Sequence, residues 1–135
     1  MTASRTAPPP SARVRRIDLA GLPAPVTAAR HVVLATLADW LVQRAGRGDV
    51  ALVASELVAN AVLHGGGPHR LVLTELDRAD PGPAAVRVEV TDGSPHTPAQ
   101  RPGGHGLLVV RHLSRAWGHR PTPPGKTVWA DVPHG

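Results

Sequence analysis

Asp49-Val50-Ala51-Leu52-Val53-Ala54-Ser55-Glu56-Leu57-Val58-Ala59-Asn60-Ala61-Val62-Leu63-His64-Gly65-Gly66-Gly67 reads as one helix followed by a stop. Asp49 is a good N-cap and the glycine run a good terminator, so the spacing predicts a helix over Asp49–Leu63. From Val50 to Leu63 every residue is Ala, Val or Leu except Ser55, Glu56 and Asn60. Such a helix buries most of its circumference. Glu56, Asn60 and His64 follow one another at intervals of four and so share one stripe. A carboxylate and a carboxamide in an apolar helix are costly unless they are paired or face a ligand.

The flanking segments supply the partners for that helix. Thr27 to Ala45 carries Val33, Leu34, Leu37, Leu41 and Val42 at helical spacing, and Gly46-Arg47-Gly48 is a break before Asp49. On the other side, Arg70–Leu76 and Ala85–Thr91 read as two strands joined by the turn residues Asp80-Pro81-Gly82-Pro83. In the second strand Val86, Val88 and Val90 alternate with Arg87, Glu89 and Thr91, which predicts an apolar inner face and a polar outer one. Arg13–Leu19 reads as an edge strand, and a third helix opens near Gly104-His105-Gly106 and runs to Trp117. Lys126–Val132 is the last strand. Helices on one face of a mostly antiparallel mixed sheet make a two-layer α/β sandwich. Met1 to Ala12, with three consecutive prolines, is expected to be a disordered tail ahead of one domain over residues 13–135.

Composition narrows the class. The chain of 135 residues is 41% hydrophobic, enough for one two-layer core. With no Phe or Tyr, the large aromatic volume rests on Trp40, Trp117 and Trp129. Without cysteine there is no disulfide framework and no thiolate chemistry, which fits a reducing cytoplasm. No apolar run has the length of a membrane span, and the N-terminus lacks an apolar signal core, so a cytoplasmic protein is expected. The formal charge of +5 is spread over scattered arginines rather than a basic helix face with stacking aromatics, so it does not point to nucleic acid.

Three punctuations carry the chemistry: the polar stripe ending in glycines, the strand end Asp92-Gly93, and the glycine turn Gly103-Gly104-His105-Gly106 before a helix. A helix start behind glycines presents free N–H groups and a positive dipole end to phosphates. A carboxamide oxygen such as that of Asn60 is a neutral hard ligand for Mg²⁺. Glu56, one turn earlier, can accept a proton. Asp92 can accept from the exocyclic amine of adenine, whereas guanine would meet it acceptor to acceptor.

Glu56-Leu57-Val58-Ala59-Asn60-Ala61-Val62-Leu63-His64, Asp92-Gly93, Gly104-His105-Gly106-Leu107 and Lys126-Thr127-Val128-Trp129 together resemble the N, G1 and G2 boxes and the closing strand of the GHKL ATPases. The wording is similar to one branch, the stand-alone anti-sigma-factor serine kinases, over roughly Arg13 to Val132. The resemblance implies a Bergerat-type sandwich that binds ATP and Mg²⁺. It implies Glu56 as general base, Asn60 as Mg²⁺ ligand and Asp92, with Gly93, as adenine anchor. It implies Gly104, His105, Gly106 and Leu107 at the phosphates, and Thr127 assisting at adenine through water. It further implies transfer of the γ-phosphate to a serine of an anti-anti-sigma partner, and release of a sigma factor by partner switching. Relatives often dimerise, which leaves a homodimer open. Two departures stand out: Ser94-Pro95 replaces the usual glycine after Asp92-Gly93, and the loop from Pro95 to Gly103 is short, which implies a small lid and weak ATP retention. These departures keep a second expectation in view, a non-catalytic nucleotide-binding or partner-docking module of the same fold.

Two other patterns are decoys. Gly125-Lys126-Thr127 has the ending of a P-loop, but Arg120 stands where its first glycine belongs, prolines fill the loop, and a strand follows. His105, His112 and His119 recur at intervals of seven, which is unlike metal-ligand spacing and predicts solvent-facing side chains. His64 is expected to serve the C-terminal dipole of its helix.

Overall fold

The computed structural model describes residues 13–40, 42, 44–63, 66–76, 84–94 and 106–134. The expected disordered tail, His64, the loop from Pro95, and Gly104 with His105 lie outside the described residues. The element order is β1 (Val14–Asp18), α1 (Pro25–Asp39), α2 (Arg44–Leu63), β2 (Pro68–Leu76), β3 (Ala85–Asp92), α3 (Gly106–Leu113), β4 (Ala116–Thr122) and β5 (Gly125–Pro133). The strands form one sheet in the order β1-β2-β3-β5-β4, every neighbouring pair antiparallel. The mixed α/β sandwich expected from the sequence is thus present, with a wholly antiparallel sheet among the described residues.

Alternation along the strands sorts side chains onto two faces. Leu71 and Leu73 of β2, Val86, Val88 and Val90 of β3, and Val128, Ala130 and Val132 of β5 point to the helices. They share one core with Ala29, Val33 and Leu37 of α1, with Val50, Val53, Leu57 and Val58 of α2, and with Val110 of α3. Trp40, just after α1, is buried, and the Arg13 guanidinium lies 5.6 Å from its ring centroid while donating to its carbonyl at 3.0 Å. Arg13 also pairs with Glu75, so the edge strand is clamped to β2 and to the end of α1.

Three boundaries differ from the sequence expectation. The first helix starts at Pro25, a residue suited to the first helical turn, and stops at Asp39 rather than reaching Ala45. The central helix starts at Arg44 and runs through Gly46 and Gly48 instead of starting at Asp49. Gly46 has a packing reason: a Cβ there would lie 2.5 Å from the Cβ of His134. Third, the helix expected to reach Trp117 ends at Leu113, and the chain turns into β4. Trp117 therefore packs on the core from a strand, opposite Ala130.

The other face of the sheet is polar, as expected, but less exposed than alternation alone suggests. Arg87 is only 5% exposed. Its Nε donates to Asp131 Oδ1 at 2.7 Å and its second guanidinium nitrogen to Oδ2 at 3.1 Å. The guanidinium sits 5.2 Å from the ring centroid of Trp129, whose indole in turn lies over Gly118. Removing one member of a buried pair strands the other charge, which costs about 3–5 kcal/mol, whereas replacing both by apolar groups is often tolerated. Asp131→Ala is therefore expected to lower the urea-unfolding free energy by about 3–5 kcal/mol. The double variant Arg87→Met/Asp131→Leu should recover most of that loss.

Candidate nucleotide site

The site is assembled where the C-terminal end of α2 meets the end of β3. Along α2, Val50, Val53, Ala54, Leu57, Val58 and Ala61 are buried, and Glu56 and Asn60 form the polar stripe among them. Glu56 is half-buried. Asn60 is buried, and its Oδ1 and Nδ2 have no hydrogen-bond partner among the described residues. Each unmet buried polar atom of this kind costs about 1–3 kcal/mol. Thr36 Oγ1, Ser114 Oγ and His134 Nε2 are unmet as well, but among the described residues only Asn60 leaves both polar atoms of one side chain unmet.

Asp92 ends β3 on the helix-facing side of the sheet, next in the alternation after Val90. Three glycines bring backbone against this strand end. A Cβ on Gly125 would fall 1.8 Å from the Asp92 carbonyl oxygen, so only glycine fits at the start of β5. Gly66, at φ +75°, is a conformation that side chains disfavour, and a Cβ there would lie 2.7 Å from the Gly93 backbone. A Cβ on Gly93 would in turn lie 3.3 Å from the Gly66 Cα and its carbonyl oxygen. Sequence reasoning identified Gly93 but missed Gly66 and Gly125 as members of this junction. A glycine run directly after the helix was the available signal for the first. The P-loop-like Gly125-Lys126-Thr127, set aside as a decoy, contained the second.

The Asp92 carboxylate is engaged. Oδ1 accepts from the Ser94 backbone N–H at 2.8 Å, a short turn that fixes the carboxylate's orientation. The Lys126 ammonium lies 3.1 Å from Oδ1 and 3.0 Å from Oδ2, and donates also to the Ser94 carbonyl at 3.2 Å. Both Asp92 and Lys126 are 4% exposed. Ser94, the departure from the family's glycine, thus contributes through its backbone.

Thr127 lies elsewhere. The register pairs Asp92 with Lys126 and Thr91 with Thr127, so Thr127 points to the sheet face away from the helices. There its hydroxyl is hydrogen-bonded to Thr91 at 2.8 Å and to Thr122 at 3.1 Å. Strand alternation is the reason: Val128, Ala130 and Val132 face the helices, and of the two preceding residues only Lys126 keeps step with Ala130 and Val128. Lys126, not Thr127, shares the helix-facing side of the sheet with Asp92.

Gly106 opens α3, Leu107 is half-buried in its first turn, and Val110 enters the core, so this helix start is held against the sandwich. His112 and His119 are exposed. No group of three or more His, Cys, Asp or Glu gathers among the described residues in a metal-binding arrangement. The unpartnered Asn60 carboxamide oxygen fits a Mg²⁺ ion, which keeps waters and takes phosphate oxygens as its other ligands. Among the described residues no helix is long and apolar enough to cross a membrane.

Comparison with known proteins agrees with this geometry. The family model of the histidine kinase-like ATPase domain matches residues 19–131, and the chain belongs to that family. The crystal structure of the RsbU and RsbW domains of Rv1364c from Mycobacterium tuberculosis is similar in fold, with a TM-score of 0.64 at 21% identity over 90% of this chain. This chain spans 32% of that one. No curated protein matches the chain. The fold is of the GHKL type, and its ATPase-domain character carries ATP binding with it.

If Asn60 is shaped for a ligand rather than for the fold, an apolar isostere should not harm the free protein. Asn60→Leu is expected to leave the unfolding free energy unchanged or to raise it by up to about 2 kcal/mol, as read by urea denaturation without nucleotide. A clear loss of stability would assign Asn60 a structural role.

Proposed function

We propose that this protein is an ATP-dependent regulatory kinase of the anti-sigma type, which passes the γ-phosphate of ATP to a serine on a protein partner. The observation that carries the reading is Asn60: a buried carboxamide with no partner, one helical turn from Glu56, in a chain of the histidine kinase-like ATPase family. The similarity in fold to a structure containing an RsbW domain supports the same reading.

In this reading Asn60 holds Mg²⁺, which when bound neutralises charge on the phosphate oxygens. Gly104, His105, Gly106 and Leu107 bring the start of α3 to the phosphates, where backbone N–H groups donate. Asp92, with Gly93, accepts from the adenine amine. Thr127 acts at adenine only at second hand, by bracing β5 from the other face through its bonds to Thr91 and Thr122. Glu56 takes the proton from the partner's serine hydroxyl as that oxygen bonds to the γ-phosphorus and the bond to the departing ADP oxygen breaks. Release of a sigma factor by an anti-anti-sigma partner would couple this transfer to transcription, in the cytoplasm, with a homodimer as the possible working unit.

A second reading is favoured by one specific feature. Lys126 occupies Asp92, so a non-catalytic module that docks on a partner without turning over ATP is the alternative. Titration of ATP with and without Mg²⁺, followed by calorimetry and with GTP as control, separates the two at the first step. Asn60→Ala should abolish Mg²⁺-dependent ATP binding while the domain stays folded. Glu56→Gln should bind ATP within about threefold of the wild type and lose phosphotransfer to a serine-bearing partner by at least about 100-fold, the range of a general base. Full transfer by Glu56→Gln would remove Glu56 from the chemistry.

A further inference from the structure

Lys126 is the only lysine in the chain, and it is spent inside the fold. A solitary surface cation would be ordinary; this one is 4% exposed. Its ammonium donates to Asp92 Oδ1 at 3.1 Å and to the Ser94 carbonyl at 3.2 Å, and lies 3.0 Å from Asp92 Oδ2 as an ion pair. Asp92 is likewise 4% exposed, so the carboxylate is covered by the ammonium that neutralises it. With Lys126 seated, Asp92 Oδ1 already accepts from Lys126 and from the Ser94 N–H. With the carboxylate 4% exposed, a purine amine reaches it only if a covering group moves, and Lys126 is the charged group seated on it.

We propose that Lys126 is a latch on the base subsite: its ammonium stands in for the adenine exocyclic amine on Asp92, and adenine enters only as Lys126 swings out. This rests on the reading of Asp92 as the adenine anchor. The exchange replaces a charged donor by a neutral one at a buried carboxylate, so it lowers ATP affinity. It also makes affinity adjustable, since any partner that draws Lys126 outward opens the subsite. The neighbouring turn permits such a swing. Lys126 is the second residue of β5, directly after the Pro123-Pro124 turn and Gly125 that join β4 to β5. Its side chain can therefore leave Asp92 without breaking the core pairs from Val128 onward.

The single lysine makes the test direct. Wild-type protein is treated with a limiting amine-acylating reagent, and acylation at Lys126 is followed by peptide mass spectrometry, with the urea-unfolded chain as the reactive reference. Lys126 should be protected in the free protein, and saturating ATP or adenosine should raise its acylation rate at least fivefold, with GTP inactive. In parallel, calorimetry should show Lys126→Met binding ATP at least tenfold more tightly than the wild type. Lys126→Thr serves as the second variant, since it keeps a donor near Asp92. ATP binding with Lys126 still protected, or equal or weaker ATP binding by both folded variants, would overturn the latch while leaving the nucleotide site in place. Absence of ATP binding in wild type and in both variants would overturn the latch and the nucleotide reading together.

Discussion

The backbone junction at the end of β3 is the constraint on which the rest depends. Gly125 lies so close to the Asp92 carbonyl that a single Cβ would overlap it, and Gly66 presses on Gly93 from the end of α2. Through these contacts one strand end, one helix end and the start of β5 occupy the same small volume. Glycine is the only residue that permits approach at this distance. The consequence is positional: Asp92, Lys126 and the last turns of α2 are held at a common point, which no single element could define.

Polar groups inside the sandwich then divide by how well they are satisfied. On the outer face, Arg87 and Asp131 form a two-bond pair capped by Trp129, and Arg120 reaches Glu89 at 2.7 Å. These groups meet each other's needs and stabilise the sheet without further help. On the helix side, Asp92 and Lys126 are equally satisfied, while Asn60 is not. Single unmet atoms occur also at Thr36, Ser114 and His134, but among the described residues Asn60 leaves both polar atoms of one buried side chain unmet, and a ligand that meets both gains most there.

Much of this was legible in the residues. The α2 stripe and the strand end Asp92-Gly93 are local patterns, and local patterns survive folding. The alternation of Val86, Val88 and Val90 likewise foretold which side of β3 meets the helices. The missed strand β4 has a physical explanation. The apolar spacing of α3 runs on into Trp117, while Ala116–Thr122 includes Gly118 and Pro121, which weaken any strand signal. Its extended form depends on pairing with β5, and Gly118 leaves room for the Trp129 ring, which a Cβ there would meet at 3.1 Å. The central helix was started too late because two glycines look like a break, and only the closeness of His134 to Gly46 explains one of them.

Thr127 and Lys126 draw the line between the two levels of information. By itself the sequence determined the two-layer class, the polar stripe on an apolar helix, and the carboxylate at the end of a valine-alternating strand, because each depends on periodicity within one element. The tertiary structure decided which of two adjacent residues on β5 faces Asp92. That choice is set by the antiparallel register between β3 and β5, in which a shift of one residue exchanges the two faces of a strand. The same register put the chain's only lysine on the carboxylate, which no reading of either segment alone could show.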